Sequence, residues 1–478
     1  MKSEQEDVDV LNMDWDGEEA KELDRELQGA HHTVEIEMSD DEVPPDSDDD
    51  SDQEELKASD VYGDMGESED EFSGMDESLT RVEHKEPVLC VGISTADKRS
   101  FVTGGQDDVA VLWGIEERNS AVQCVQRCRL EGHTDSVNQA SFSHDGQYIA
   151  TGSYDGTVKI WAAATGALIH TLEGPAKEVE WVIWHPKGHA ILAGSTDTMA
   201  WMWWAPTGKL MQIFAGHAQG VTCGCWALAG KLICTASEDR SVIVWNPRAG
   251  TPQQHIKALH ESNIIAICSH PDAPIIVTGS EDAEAKVVHI ENGKILATLS
   301  GHSESVECVR FNEAPAGSLL LLGTASMDGK LQIWDGKTFE FRCAIMDHVE
   351  RGGITDFKWL PHPSSSLLCT ASVDRTSRLF NALSGQCLHV LCGHKDTVLG
   401  LDLMLAESLD ANGNPQVCVM TCSDDKSCRI FVKPLQANPE SSASIASVVA
   451  RPQGYNSGAQ PPTAPAQVTC DSATMPPV

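Results

Sequence analysis

A unit built around one aspartate recurs eight times in this chain of 478 residues. Six residues after each aspartate stands a tryptophan or another bulky apolar residue, and successive aspartates are 48, 42, 42, 43, 46, 46 and 51 residues apart. The eight pairs are Asp107/Trp113, Asp155/Trp161, Asp197/Trp203, Asp239/Trp245, Asp282/Val288, Asp328/Trp334, Asp374/Phe380 and Asp425/Phe431. Repeats of about 40–50 residues are typical of a β-propeller, in which each unit forms one blade. The spacing therefore predicts an all-β, eight-bladed propeller over residues 77–434.

The second unit shows the pattern of one blade. Segments with strand character at 137–143, 148–152, 158–161 and 168–172 are separated by short turns rich in Gly and Asp, as expected for a four-stranded antiparallel sheet. The last unit ends at Phe431 without a fourth segment, whereas an unmatched segment at 78–83 precedes the first unit. We therefore expect the N-terminal segment to complete the last blade and to close the ring, which removes free sheet edges.

The two ends of the chain differ from the propeller in composition. The formal net charge is −38, and residues 1–79 hold 31 acidic but only 4 basic residues. Residues 1–76 therefore predict a disordered acidic leader, and residues 435–478, rich in Pro, Ser and Ala, predict a disordered tail. Such a charge repels nucleic-acid phosphates, so we expect no direct nucleic-acid binding and favour a basic protein partner.

Several other classes of protein do not fit the sequence. There is no secretory signal and no apolar run long enough to span a membrane, so we expect a cytoplasmic protein and leave nuclear entry open. The 16 cysteines are scattered without the spacing of a zinc site. We expect reduced thiols, no metal, no cofactor and a monomer.

Each full unit also carries a histidine, a hydroxyl residue, the aspartate and the tryptophan. The sets are His133, Asp155 and Trp161; His217, Asp239 and Trp245; and His302, Asp328 and Trp334. One such set resembles a Ser–His–Asp triad, but a catalyst does not need its triad copied around a ring. We interpret the sets as buried hydrogen-bond networks that fix the turns. Units with His84, His260 or His348 but no preceding Gly, and the third unit with Pro175, are expected to depend more on apolar packing.

Two series of positions predict the chemistry of one face. The residue before each turn aspartate and the first residue of each inner strand should point to the same rim, and together these series contain five acids and no base. With their neighbours, the candidate partner-binding residues are Tyr154, Glu178, Glu180, Trp181, Glu238, Glu281, Glu304, Glu307 and Asp424. An acidic rim with aromatic neighbours suits Lys- and Arg-rich segments. The alternative is ordinary solvated loop charge.

The third unit is rich in tryptophan. Residues 181–204 contain five of the 12 tryptophans in the chain. Trp181 and Trp201 occupy positions that Gln139 and Lys159 hold in the second unit. Either they are exposed anchors for a partner or they pack between neighbouring blades.

The unit signature resembles that of WD-repeat propellers. Residues 178–186 and 199–204, with 192–195 between them and 221–224 after them, resemble the angio-associated migratory cell protein family, as do the eight units and the acidic leader. The resemblance implies a relative of a dedicated ribosomal-protein chaperone, whose acidic face captures the basic N-terminus of its client. The sequence departs from that family in its tail and near residues 409–415.

Together these features predict a non-enzymatic binding protein: an assembly chaperone that shields a basic segment of a large-subunit ribosomal protein. One alternative is a substrate receptor of a cullin-type ubiquitin ligase, which often carries Trp-Asp-x-Arg. The closest strings here are imperfect: Trp245-Asn246-Pro247-Arg248 and Trp334-Asp335-Gly336-Lys337. A second alternative is a signalling scaffold of the cell-migration type, for which the fold alone is no argument.

Overall fold

A computed structural model describes residues 75–118, 121–313, 319–349, 351–361, 366–409 and 415–435. Within these ranges the chain forms 32 strands and one short 3-10 turn, Leu228–Gly230. The predicted leader up to residue 74 and the predicted tail from residue 436 lie outside the described residues. No helix in the described ranges is long and apolar enough to cross a membrane.

The strands form eight antiparallel sheets of four strands each, and each sheet is one blade. Blades 1 to 4 consist of β2 (Val88–Ile93), β3 (Ser100–Gly105), β4 (Ala110–Arg118) and β5 (Ala121–Leu130); β6 (Val137–Phe142), β7 (Tyr148–Ser153), β8 (Val158–Ala162) and β9 (Leu168–Leu172); β10 (Val179–Trp184), β11 (Ala190–Ser195), β12 (Met199–Trp204) and β13 (Lys209–Ala215); and β14 (Cys223–Ala227), β15 (Leu232–Ala236), β16 (Val242–Trp245) and β17 (Pro252–Ile256).

Blades 5 to 8 repeat this arrangement. They consist of β18 (Ile264–Ser269), β19 (Ile275–Ser280), β20 (Ala285–His289) and β21 (Lys294–Leu299); β22 (Val306–Phe311), β23 (Leu321–Ser326), β24 (Leu331–Asp335) and β25 (Phe341–Ile345); β26 (Ile354–Trp359), β27 (Leu367–Ser372), β28 (Ser377–Asn381) and β29 (Gln386–Leu391); and β30 (Val398–Leu409), β31 (Pro415–Ser423) and β32 (Ser427–Pro434) with β1 (Thr80–Glu83). The predicted eight-bladed propeller is confirmed.

The blades form a closed ring. The first strand of every blade contacts the first strand of both neighbouring blades, including β30 of blade 8 with β2 of blade 1. These strands are therefore the innermost ones. Eight apolar clusters fill the eight interfaces between blades. One example joins Leu112 and Leu130 of blade 1 to Ile149 and Trp161 of blade 2. Burial of these apolar side chains stabilises the ring as one unit.

The N-terminal strand closes the ring, as the sequence predicts. β1 pairs with β32 over four residues, from Thr80 opposite Ile430 to Glu83 opposite Ser427. Backbone hydrogen bonds extend the seam, since the Leu79 amide donates to the Ile430 carbonyl (2.8 Å). Asp76 forms an ion pair with Arg429, whose side chain is only 2% exposed. The first and last strands of the propeller are thus joined without a covalent link.

The fifteen cysteines of the described ranges are free thiols. Cys90, Cys234, Cys369 and Cys428 are buried in strands, where cysteine acts as a small apolar residue. Burial raises the pKa of Cys90 to about 12. The Cys90 thiol is therefore protonated at neutral pH, which suits packing rather than nucleophilic chemistry.

Candidate functional site

A hydrogen-bond network fixes the turn between the second and third strands of seven blades. In blade 2, His133 Nδ1 lies 2.8 Å from Asp155 Oδ2, and His133 Nε2 lies 2.8 Å from Thr151 Oγ1. The Trp161 indole N–H donates to the same Thr151 oxygen at 2.9 Å. The Asp155 carboxylate also accepts the backbone amides of Thr134 and Thr157. The polar side-chain atoms of this set therefore have hydrogen-bond partners within the blade, as expected of residues with a structural role.

The same histidine, aspartate and threonine contacts recur in six other blades. The sets are His84, Asp107 and Thr103; His217, Asp239 and Thr235; His260, Asp282 and Thr278; His302, Asp328 and Thr324; His348, Asp374 and Thr370; and His394, Asp425 and Thr421. The fourth member, a tryptophan N–H on the threonine, is present in Trp113, Trp245 and Trp334 as well as Trp161.

The units with His84, His260 and His348 were expected to depend more on apolar packing, and the structure shows that they also keep the histidine and aspartate contact. These blades keep the full histidine and aspartate pair, because the backbone places the histidine without help from a preceding Gly. His394, which sequence reasoning passed over, follows Gly393 and forms the same contacts in blade 8. Blades 5, 7 and 8 lack only the tryptophan N–H, since Val288, Phe380 and Phe431 are buried in its place.

In the third blade a tryptophan, rather than a histidine, bonds to the turn aspartate. It has Pro175 at the histidine position and Ala193 at the threonine position. The Trp201 indole N–H donates to Asp197 Oδ2 at 3.3 Å, which is the bond that histidine makes elsewhere. Trp201 is 9% exposed and stacks on Trp203. It is therefore a packing residue of blade 3.

Trp181 is also buried, so its predicted role as an exposed partner contact is wrong. Its indole N–H donates to the Val221 carbonyl of blade 4 at 2.8 Å, and the side chain is 7% exposed. The ring lies against Gly194 and Gly224, where any Cβ would come within 2.2 Å of the indole. Trp181 joins blades 3 and 4 across a space that only glycine leaves open.

A ring of β-bulges directs side chains toward one face of the propeller. In seven blades the pairing of the innermost strand with its neighbour shifts by one residue near its start, and the residue left without a partner is one that the sequence assigned to the rim. These residues are Leu89, Asn138, Glu180, Ile265, Glu307, Thr355 and Leu399. A bulge re-aims its side chain out of the ladder. In blade 4, Thr222 directly precedes β14 instead.

Three polar residues of this ring tie one blade to the next. The Asn138 side-chain amide donates to the Val179 and Glu180 carbonyls at 2.8 and 3.0 Å. Thr355 Oγ1 donates to the Val398 carbonyl at 2.6 Å, and Thr222 makes the equivalent bond to Ile264. The two acids of the ring, Glu180 and Glu307, have no such donor and keep their carboxylates for other contacts.

The acids of the rim gather in two clusters. Glu180 is half-buried, and burial followed by repulsion from Glu178 and Glu238 raises its pKa. Tyr154, 38% exposed, lies beside Glu180: burial and then the charge of Glu180 raise its pKa. We call Tyr154, Glu178, Glu180 and Glu238 the first acidic cluster. It spans blades 2 to 4.

The second acidic cluster consists of Glu281 and Glu307 of blades 5 and 6. Burial raises the pKa of Glu307, the hydrogen bond from Ser305 (2.5 Å) opposes this, and the charge of Glu281 adds to it. Glu281 accepts a hydrogen bond from Ser262 at 2.9 Å. The charged neighbours that raise the pKa of Glu180 and Glu307 are other glutamates: Glu178 and Glu238 for the first, and Glu281 for the second. Glu180 and Glu307 therefore lie where neighbouring negative charge is concentrated, whereas the exposed Glu178 also feels the positive charge of Lys177.

The remaining predicted residues lie outside the two clusters. Asp424 of blade 8 has its pKa raised by burial and then by Asp396 and Asp425. Glu304 is exposed, and only its backbone carbonyl has a partner, Ser326. Sequence reasoning missed Asp135 and Asp396, which stand two residues after the network histidines His133 and His394. A comparison of the units at this fixed distance from the histidine could have identified both aspartates as rim residues.

Basic residues are also present around this face. Arg240, Arg375 and Lys426 each directly follow a turn aspartate with a positive φ. Lys426 forms an ion pair with Glu86 at 2.8 Å. The absence of bases therefore holds for the two predicted series of positions, while cations occupy the next position along the same turns.

Comparison with known proteins identifies the repeat. The family model "WD domain, G-beta repeat" matches residues 123–162, 166–203, 208–246, 251–288, 293–335 and 385–431, just over half of the chain. The chain belongs to the WD-repeat family. Angio-associated migratory cell protein of Homo sapiens is 28% identical over 373 residues, 74% of this chain and 80% of the relative. A WD repeat-containing protein of Schizosaccharomyces pombe is 30% identical, covering 73% of this chain and 84% of its own length. The resemblance seen in the sequence is confirmed.

Solved structures share the fold of this WD-repeat protein. Sqt1 of Saccharomyces cerevisiae superposes with a TM-score of 0.65 at 21% identity, covering 75% of this chain and 99% of Sqt1. Sqt1 of Chaetomium thermophilum, crystallised bound to the N-terminus of the ribosomal protein L10, gives a TM-score of 0.62 at 22% identity, with 75% of this chain and 100% of that chain covered. At this identity the likeness establishes the eight-bladed architecture.

Proposed function

We propose that this WD-repeat propeller is a non-enzymatic assembly chaperone that binds a basic segment of a ribosomal protein on its acidic face. The observation that carries the proposal is the pair of acidic clusters, in which the half-buried carboxyls of Glu180 and Glu307 are repelled by neighbouring acids. A cationic segment would relieve that repulsion, so charge complementarity favours its binding. The structural likeness to Sqt1, one structure of which holds the N-terminus of L10, supports a ribosomal client.

The mechanism is shielding rather than chemistry. Lys and Arg side chains of the client would pair with Glu180, Glu238 and Glu307, and Tyr154 would offer a ring face for a cation–π contact. While paired, the client is kept from RNA phosphates and from aggregation until it is handed over. We propose that this happens in the cytosol. The repeated His–Asp–Thr set takes no part, because its threonine oxygens are buried and already bonded.

The test is charge reversal of the acidic clusters. The ring variant carries Glu180→Lys, Glu238→Lys, Glu281→Lys and Glu307→Lys. Its matched control makes the same change in net charge at exposed acids on the loops at the other ends of the strands: Asp272→Lys, Glu291→Lys, Glu313→Lys and Glu340→Lys. The probe is a synthetic peptide of the N-terminal segment of the cognate L10, with binding measured by isothermal titration calorimetry at several salt concentrations.

Four pairs at about 0.5–1 kcal/mol each predict a loss of affinity of about a hundredfold in the ring variant. The control should bind nearly as the wild type, and wild-type affinity should fall with salt because exposed charge pairs are screened over about 8–10 Å. Equal loss in both variants would show a general charge effect and refute the assignment of the face. Wild-type protein that ignores this peptide but captures another basic protein at low salt would keep the face and change the client.

A further inference from the structure

A cluster of metal-binding side chains lies at the opposite ends of the inner strands from the acidic clusters. His144 and Asp145 stand in the turn that follows β6, whereas the bulge residue Asn138 stands near the start of that strand. His189 directly precedes β11 of blade 3. One ligand atom from each of His144, Asp145 and His189 lies within 4.8 Å of the other two. The cluster therefore bridges blades 2 and 3.

Two of these three side chains are held in place. Asp145 Oδ1 accepts the Ser143 hydroxyl at 2.7 Å and the Gln147 amide at 3.1 Å, so the other carboxylate oxygen, Oδ2, faces His189 Nε2 at 2.9 Å. Both side chains are only about a quarter exposed. Contacts that orient a ligand from outside the metal are a regular feature of metal sites.

Aromatic rings fix the imidazole of His189. Tyr148 packs edge-on at 5.1 Å between ring centroids, and Trp204 packs edge-on at 6.0 Å. The third side chain, His144, is exposed, and its ring centroid is 5.3 Å from that of His189. Two rigid ligands and one exposed ligand can close on an ion with only a side-chain movement of His144.

We propose that His144, Asp145 and His189 bind a divalent metal ion of the Zn²⁺ type. Zn²⁺ is therefore the ion with which the site is tested. Two imidazole nitrogens and one carboxylate oxygen suit Zn²⁺, whereas Ca²⁺ and Mg²⁺ prefer sites made of oxygen. On binding, the ion takes the place of the proton that His189 Nε2 shares with Asp145, and that proton passes through solvent to Nδ1, so that the imidazole stays neutral. Three protein ligands leave one tetrahedral position for water. The ion would fasten blade 2 to blade 3.

The experiment titrates the full chain, free of any polyhistidine tag, with ZnCl₂ in a calorimeter. We expect one saturable site and a rise in melting temperature with added Zn²⁺, because the ion binds the folded chain. His144→Gln should weaken binding at least tenfold and leave the metal-free melting temperature unchanged, since His144 is exposed. The matched control, His255→Gln, changes an exposed histidine elsewhere and should bind as the wild type.

Replacement by Co²⁺ distinguishes the proposed ligands from the cysteines. Nitrogen and oxygen ligands give visible d–d bands without a thiolate-to-cobalt charge-transfer band, and His189→Gln should remove them. A strong thiolate band would place the ion on cysteine and overturn the proposal. It would also be overturned if His144→Gln bound Zn²⁺ like the wild type, or if the wild type showed no saturable site. In those cases Asp145 and His189 form only a hydrogen bond between blades.

Discussion

The seam between β1 and β32 makes a quantitative prediction about truncation. A chain lacking residues 1–74 keeps the whole seam, whereas a chain lacking residues 1–83 loses it. Two flanking backbone hydrogen bonds that this deletion removes, from the amides of Glu77 and Leu79, contribute about 2 kcal/mol in all. Burial of Val82, 5% exposed, contributes about 2 kcal/mol. Losing Asp76 from Arg429 costs about 1 kcal/mol, a low value because Asp76 is nearly half exposed.

The loss is therefore at least about 5 kcal/mol before the four-residue ladder is counted, a large part of the roughly 5–15 kcal/mol by which proteins are stable. In differential scanning calorimetry, the shorter chain should melt about 10 °C lower than the wild type or fail to fold. The chain that lacks only residues 1–74 should melt within about 1 °C of the wild type.

A point variant keeps the test decisive if the shorter chain does not fold. Val82→Ala should cost about 2 kcal/mol in urea unfolding, because it leaves a gap against the blade 8 core. Leu79→Ala is the matched control in the same segment: Leu79 is 46% exposed, so its loss should be small. Truncations that melt alike, or two alanine variants of equal stability, would show that the ring is not held by this seam.

Three further outcomes follow from the side chains described above. Burial would raise the pKa of Asp155, but the hydrogen bonds from His133 and Thr157 outweigh it and hold the pKa well below the usual 3.8. The stabilisation by Asp155 is complete above pH 3.8 and is lost as the pH falls from there through the lower pKa of the folded state, so Asp155→Asn should flatten the acid slope of the unfolding free energy. Trp181→Ala should cost about 3–5 kcal/mol in urea unfolding, whereas Tyr154→Ala should leave stability within about 0.5 kcal/mol and weaken peptide binding. Because burial raises the pKa of Glu180 and Glu307, these carboxylates lose their charge at a higher pH than free glutamate, and calorimetric affinity for the basic peptide should begin to fall at a pH above the usual glutamate pKa.

Much of the fold could be predicted from local signals. The strand bounds predicted for the second unit agree with β6, β7, β8 and β9 to within one residue, because Gly and Asp mark each turn and β-branched and apolar residues fill the strands between them. The last unit lacks a fourth strand, and an unmatched segment precedes the first unit. These two observations were enough to predict ring closure. Both observations depend on knowing that each unit should have four strands, and the repeated pattern of the other units shows this.

The direction of single side chains was harder to predict. Trp181 follows Glu180 in the sequence, and alternation alone did not say which of the two turns into the ring. The bulge at Glu180 decides this, since it sends the carboxylate to the face and the indole against Gly194 and Gly224. Contacts between blades of this kind depend on residues about 40 positions apart, so no local pattern reports them. Trp201 was ambiguous for a different reason: its partner Asp197 is only four residues away, but the geometry of the turn between them decides whether the indole reaches it.

The unpaired residues of the seven bulges affect how the propeller can evolve by substitution. A substitution at one of them breaks no ladder bond and leaves the neighbouring blades in register. Except at Asn138 and Thr355, whose side chains bond to the next blade, the unpaired residue is therefore a place where charge, size or polarity can be exchanged almost independently of the other blades. The preference of the whole face could drift in small steps, while the histidines and aspartates behind it keep the architecture constant.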